Sequence, residues 1–216
     1  MKKIFSLLLV LVLSFSLFSC KEKNRTYDEG EVKAAAADLI ERSKVLNLVY
    51  WGTGIEYVEN DNTSNGYYYE ANILHLEKLG FKTIEELRTM TLGVFSAEYS
   101  EIIFASSLSS VSDEDGIHSL ARYYQKYLDK EMKEPDTIMV YSRAKVLLTD
   151  EVVYLYETLE VEGSVGEVVY VNLKVSVTRD EKTQIRSIKV GLIEQENGWR
   201  LNDATYITYD KEYKEN

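Results

Sequence analysis

The chain has 216 residues, 45% of them hydrophobic, and sets 25 basic side chains against 36 acidic ones for a formal charge of −11. That length suits one domain or at most two small ones, and the acidic balance disfavours nucleic acid and anionic lipid headgroups as partners. Cys20 is the single cysteine, so the remainder of the chain has no disulfide and no thiolate metal site.

Met1-Lys2-Lys3 makes a short basic start, and the stretch from Ile4 to Phe18 carries no charge. Such a run falls short of the roughly 20 residues of a spanning helix and suits the apolar region of an export signal. Leu17-Phe18-Ser19-Cys20 resembles the lipobox of bacterial lipoproteins: an aliphatic residue, a tolerant position, a small residue and the obligatory cysteine. The resemblance implies cleavage before Cys20, which then carries a thioether-linked diacylglycerol and acyl chains such as palmitate. Residues 1–19 are then a signal peptide, 20–30 the lipidated cysteine with a flexible tether, and 31–210 a single domain. The body is expected outside the cytoplasm, in the cell envelope, held to a membrane by lipid. All 36 acids follow Cys20 and Lys2 and Lys3 precede it, so the mature chain carries 23 basic residues and a balance of −13.

Beyond the tether, Val32, Ala36, Leu39, Ser43, Leu46 and Tyr50 recur at spacings of four and three, the stripe of a helix that Gly52 and Gly54 end. Glu59–Gly66 reads as a loop, and Tyr67–Leu76 fits helix or strand. Thr83-Ile84-Glu85-Glu86 is a capping box that opens a second helix. Ser96 caps a third helix through Ser107, with Tyr99, Ile102, Ile103 and Ser106 expected on its inner side. Ile117, Leu120, Ala121, Tyr124 and Leu128 predict a fourth helix.

After Pro135 the period becomes two. Val169, Val171, Leu173, Val175 and Val177 alternate with polar residues, the pattern of a half-buried strand. Val153, Leu155, Leu159 and Val161 predict the inner face of the strand before it, and Ile188, Val190 and Leu192 that of the strand after. Glu162-Gly163-Ser164, Asp180-Glu181-Lys182 and Asn197-Gly198 are the expected turns. Asn-Gly predicts a type I′ hairpin pairing Ile188–Gln195 with Trp199–Tyr206. The predicted class is α+β: N-terminal helices packed on a C-terminal twisted antiparallel sheet of about four to five strands.

Helices followed by a long sheet that closes on Glu196-Asn197-Gly198-Trp199-Arg200-Leu201 resemble the cone-shaped nuclear transport factor two-like fold, which implies a pocket between sheet and helices. The order of elements, with Thr83–Tyr99 before the sheet, is also similar to the secreted inhibitors of bacterial DL-endopeptidases. That second resemblance implies a cell-wall peptidase as partner. Neither resemblance assigns a functional residue.

Motifs for catalysis are sparse: no GxSxG elbow, P-loop, HExxH or GxGxxG occurs. His75 and His118 lie on separate segments, His75 reading as a half-buried structural residue and His118 as an exposed one near a helix start. Paired carboxylates among so many acids define no groove. Asp61–Gly66 has the oxygen alternation of a calcium loop, but Asn72 stands at the twelfth position where an EF-hand needs glutamate. No cofactor and no metal is expected. Among the 17 tyrosines, Tyr123, Tyr124 and Tyr127 fall on the predicted fourth helix, while Tyr154, Tyr156 and Tyr170 fall on the face opposite the aliphatic one. The last three either line a glycan or peptide groove or pack against the helices with wet hydroxyls. The expected function is a non-catalytic binding module, a regulator of a cell-wall hydrolase or a receptor for a solute or glycan. A carboxylate-dependent enzyme is the third reading.

Overall fold

The computed structural model describes residues 26–59, 67–109, 111–113, 116–129, 131–144 and 150–210. The expected signal segment, Cys20 and the calcium-like loop Asp61–Gly66 lie outside them. Helix α1 (Glu29–Tyr50) starts at Asp28, whose carboxylate accepts the Glu31 N–H at 2.9 Å. Its buried stripe is the expected one, with Ile40, Asn47 and Val49 added. The Arg122 guanidinium finishes it, donating to the carbonyls of Tyr50 (2.6 Å) and Gly52 (2.7 Å) that the helix leaves open.

The ambiguous stretch divides into a short strand, β1 (Tyr68–Glu70), and a helix, α2 (Ile73–Leu79), capped by Asn72. Helix α3 (Ile84–Leu92) carries the capping box at Thr83 and Glu86. Helix α4 (Ala97–Ser107) opens at Ser96, but Ile102 is 61% exposed and Ser100, Ile103, Phe104 and Ser107 form its buried side.

The predicted fourth helix is absent. After β2 (Val111–Asp113), the residues there form β3 (Gly116–Ser119) and β4 (Tyr123–Tyr127), and β4 pairs with β5 (Pro135–Tyr141), which in turn pairs with β1. His118 therefore sits in a strand. The helical spacing of Ile117–Leu128 loses to tertiary pairing: Tyr123 is buried opposite Val140, and its hydroxyl donates to the Val49 carbonyl at 2.8 Å.

The larger sheet is an antiparallel meander of β6 (Glu151–Val165), β7 (Val168–Arg179), β8 (Lys182–Gln195) and β9 (Gly198–Leu201). The fold class is thus α+β with a twisted antiparallel sheet. Strand β7 alternates as predicted. Strand β6 does not: from Leu155↔Lys174 to Glu160↔Asn172 it advances five residues while β7 advances two. The three extra residues reverse its faces. Val152, Tyr154 and Tyr156 turn to the core before the bulge, and Leu159 and Val161 after it, leaving Val153 46% exposed. Gly163 marks a second irregularity in β6 rather than a turn.

The type I′ geometry lies at Asp180-Glu181, with φ of 48° and 63°, between Arg179 and Lys182. In the last hairpin Gln195 pairs with Gly198, so Glu196-Asn197 is the loop and Gly198 takes the positive φ of 97°. Pairing ends at Leu201 instead of Tyr206, because Asp203 accepts the Gly191 N–H at 2.8 Å in place of a ladder partner. Residues 204–210 then run back without joining the meander, tied by Arg186 to the Thr208 carbonyl and by Gln184 to both backbone groups of Asp210. Helix α1 lies over β6 and β9, and one buried cluster runs from Val32 to Ile207 through helices and sheets. Among the described residues, no helix is long and apolar enough to cross a membrane.

Candidate functional site

The second half of α1 presents polar side chains to the sheet where the stripe would otherwise continue apolar. Ser43 and Asn47, one helical turn apart, face Tyr154 of β6 and Thr205 of the returning segment. Asn47 Nδ2 donates to Thr205 Oγ1 (2.8 Å) and to the Tyr154 hydroxyl (3.3 Å). Ser43 Oγ donates to the Ile40 carbonyl (2.7 Å), so the 2.6 Å contact between Ser43 and Thr205 takes its proton from Thr205. Tyr154 in turn donates to the Thr205 carbonyl at 2.9 Å. Every proton in the chain is placed only when the Asn47 amide has this orientation. Its Oδ1 is then buried with no partner among the described residues.

This network borders a cleft of about 320 Å³ lined by Lys44, Asn47, Leu48, Thr53, Val152 and Tyr206, among others. It opens between the end of α1, the start of β6 and residues 206–207. Trp51 stacks on Tyr206 with ring centres 6.1 Å apart. Desolvation raises the Tyr206 hydroxyl pKa, with a further push from the Asp150 carboxylate, so the phenol stays neutral.

Both charged groups of the lining are already matched. Lys44 donates to Glu41 and lies over the rings of Tyr154 (5.6 Å) and Tyr156 (5.8 Å). The Lys44 bond, followed by the one from the Tyr156 hydroxyl at 2.8 Å, holds the Glu41 carboxyl below its ordinary range. Asp150 accepts Arg179 through both oxygens, at 2.5 and 2.7 Å, and the Tyr209 N–H at 2.8 Å. Arg179 is the main cause that keeps its pKa low.

The three tyrosines singled out in the sequence do not share a surface. Tyr154 is 7% exposed on the inner face, Tyr156 stacks beside it at 6.3 Å, and both belong to the α1 side. Tyr170 lies on the outer face with Lys189 Nζ 4.6 Å from its ring centre. The bulge in β6 brings Tyr154 and Tyr156 inward, and of the three only Tyr154 lines the cleft. Tyr124 instead packs edge-on against Tyr68 in the three-stranded sheet. His75 is half-buried, its Nδ1 accepting the Glu56 N–H at 2.8 Å. No group of three or more His, Cys, Asp or Glu converges among the described residues.

Asn47, Lys44, Thr53, Asp150 and Tyr206 were not anticipated as site residues. One sign of them was legible: Ser43 and Asn47, four apart, put hydroxyl and amide on the otherwise apolar buried side of the helix. Set against known proteins, the chain matches no protein-family model, and no curated protein matches its sequence.

Proposed function

We propose that this chain is an exported lipoprotein, cleaved before Cys20 and lipid-anchored there, whose body is a non-catalytic binding module for a small solute. The observation that carries the binding reading is the cleft beside α1, whose lining includes Thr53 and a Tyr206 hydroxyl that has no hydrogen bond among the described residues. Concave sites with apolar walls and a few convergent polar groups are where small molecules bind. A recess of about 320 Å³ supports solute binding over regulation of a wall hydrolase, because protein partners dock on broad exposed patches.

Two measurements test this. Growth with an alkyne-bearing palmitate analogue should label the chain, and Cys20→Ser should abolish the label and release the body from membranes. Trp51, stacked on Tyr206 at the cleft, is a built-in reporter. With Trp199→Phe removing the second indole, a solute library is expected to contain members that shift Trp51 emission saturably. Emission unchanged across the library would refute the solute reading.

A further inference from the structure

We infer that the cleft takes an uncharged, hydroxyl-bearing ring of about monosaccharide size, a ligand class that rests on the binding reading above. Charge comes first. Lys44 is neutralised by Glu41, and Asp150 by Arg179. A charged ligand would be desolvated there without a free counter-ion, which is costly unless one of those pairs opens.

The remaining polar groups favour hydroxyls. The Asn47 amide is closed off from the cleft, with its N–H groups given to Thr205 and Tyr154. The Tyr206 hydroxyl has no hydrogen bond among the described residues, and Thr53 adds a second hydroxyl to the lining. A sugar hydroxyl both donates and accepts, so one ring can bond both of these hydroxyls. Leu48, Val152 and Ile207 supply apolar wall for the C–H faces of such a ring. The volume of about 320 Å³ equals the liquid volume of roughly ten waters, enough for one substituted ring within the cleft.

The test titrates the detergent-solubilised lipidated chain with glucose and N-acetylglucosamine as neutral probes. Glucosamine serves as the cationic counterpart and glucuronate as the anionic one. At least one neutral sugar is expected to bind saturably, with both charged counterparts weaker by about tenfold or more. Tyr206→Phe and Thr53→Val should each weaken it by roughly three- to tenfold, the worth of a lost neutral hydrogen bond. Both leave the Asn47–Thr205–Ser43 network intact, so unchanged unfolding midpoints separate lost contacts from lost folding. Equal or tighter binding of a charged sugar overturns the inference, as does neutral-sugar binding that neither variant alters. If no sugar binds while other uncharged solutes shift Trp51, the ligand class falls and the binding module stands. If nothing shifts Trp51, both fall.

Discussion

The two halves of α1 solve the same burial problem differently. The first half meets the sheet with Val32, Ala36, Leu39 and Ile40, all buried and none polar. The second half places Ser43 and Asn47 there instead, both buried, and spends their hydrogen bonds on Thr205 and Tyr154. Apolar packing is forgiving about direction, whereas a buried amide must have each of its groups matched. The first half matches everything it buries and the second leaves one acceptor over. A helix that keeps a polar seam beside a cleft, where leucine would have closed it, separates the apolar part of the core from the part that borders the cleft.

The strongest attempt to break this contrast is truncation in the first half. Ile40 is fully buried, so Ile40→Ala should cost about 2–5 kcal/mol in urea unfolding. A cost below about 1 kcal/mol would mean that this half is not the support. Next comes the turn that ends α1. Gly54 has φ of +79°, and a Cβ there would lie 2.7 Å from the Tyr123 hydroxyl and 2.8 Å from Arg122 Nη2. Gly54→Ala should therefore lose about 2 kcal/mol, from backbone strain and from the displaced Arg122 cap together. An unchanged thermal midpoint would show that the cap tolerates displacement.

Acid titration probes the far wall of the cleft. Because Arg179 lowers the Asp150 pKa in the folded chain, the ionised carboxylate adds stability above its ordinary value near 3.8. That stability is lost as pH falls through the lower folded value. Asp150→Asn should thus be less stable than the parent at neutral pH and converge on it as pH falls through the lowered folded value. Parallel stability curves would show that the pair contributes nothing. The smallest effect is expected at the centre of the contrast. Asn47→Leu removes two hydrogen bonds but also the unpaired oxygen, so it should cost no more than about 1 kcal/mol. A loss as large as that of Ile40→Ala would make Asn47 a structural residue and dissolve the distinction between the halves.

The local devices of the fold were legible in the sequence because each is set by neighbours in the chain. The stripe of α1, the capping box at Thr83–Glu86, the Ser96 cap and the alternation of β7 are of this kind. What could not be read depends on distant partners. Tyr123 and Tyr124 have helical neighbours in sequence but are held as strand by β5. The face of Tyr154 is decided by three residues that β6 carries in excess of β7, and only the pairing register exposes that count. The last hairpin was legible, but not that Asp203 would end it and send residues 204–210 back to the seam. The candidate site combines α1, β6 and that returning segment, so it inherited all three gaps.

The network at the cleft joins residues far apart in the chain: Ser43 and Thr205 are 162 positions apart, and Asn47 and Thr205 are 158. Contacts of such separation carry the largest loop-closure cost and reward the chain only after the intervening elements are in place. The helix and the β6–β8 hairpins can form without residues 204–210, but the cleft cannot. In refolding, the amides of β7 and β8 should acquire hydrogen-exchange protection before the cleft is competent. The cleft is then the last feature of the fold to form and the first to go when the returning segment detaches.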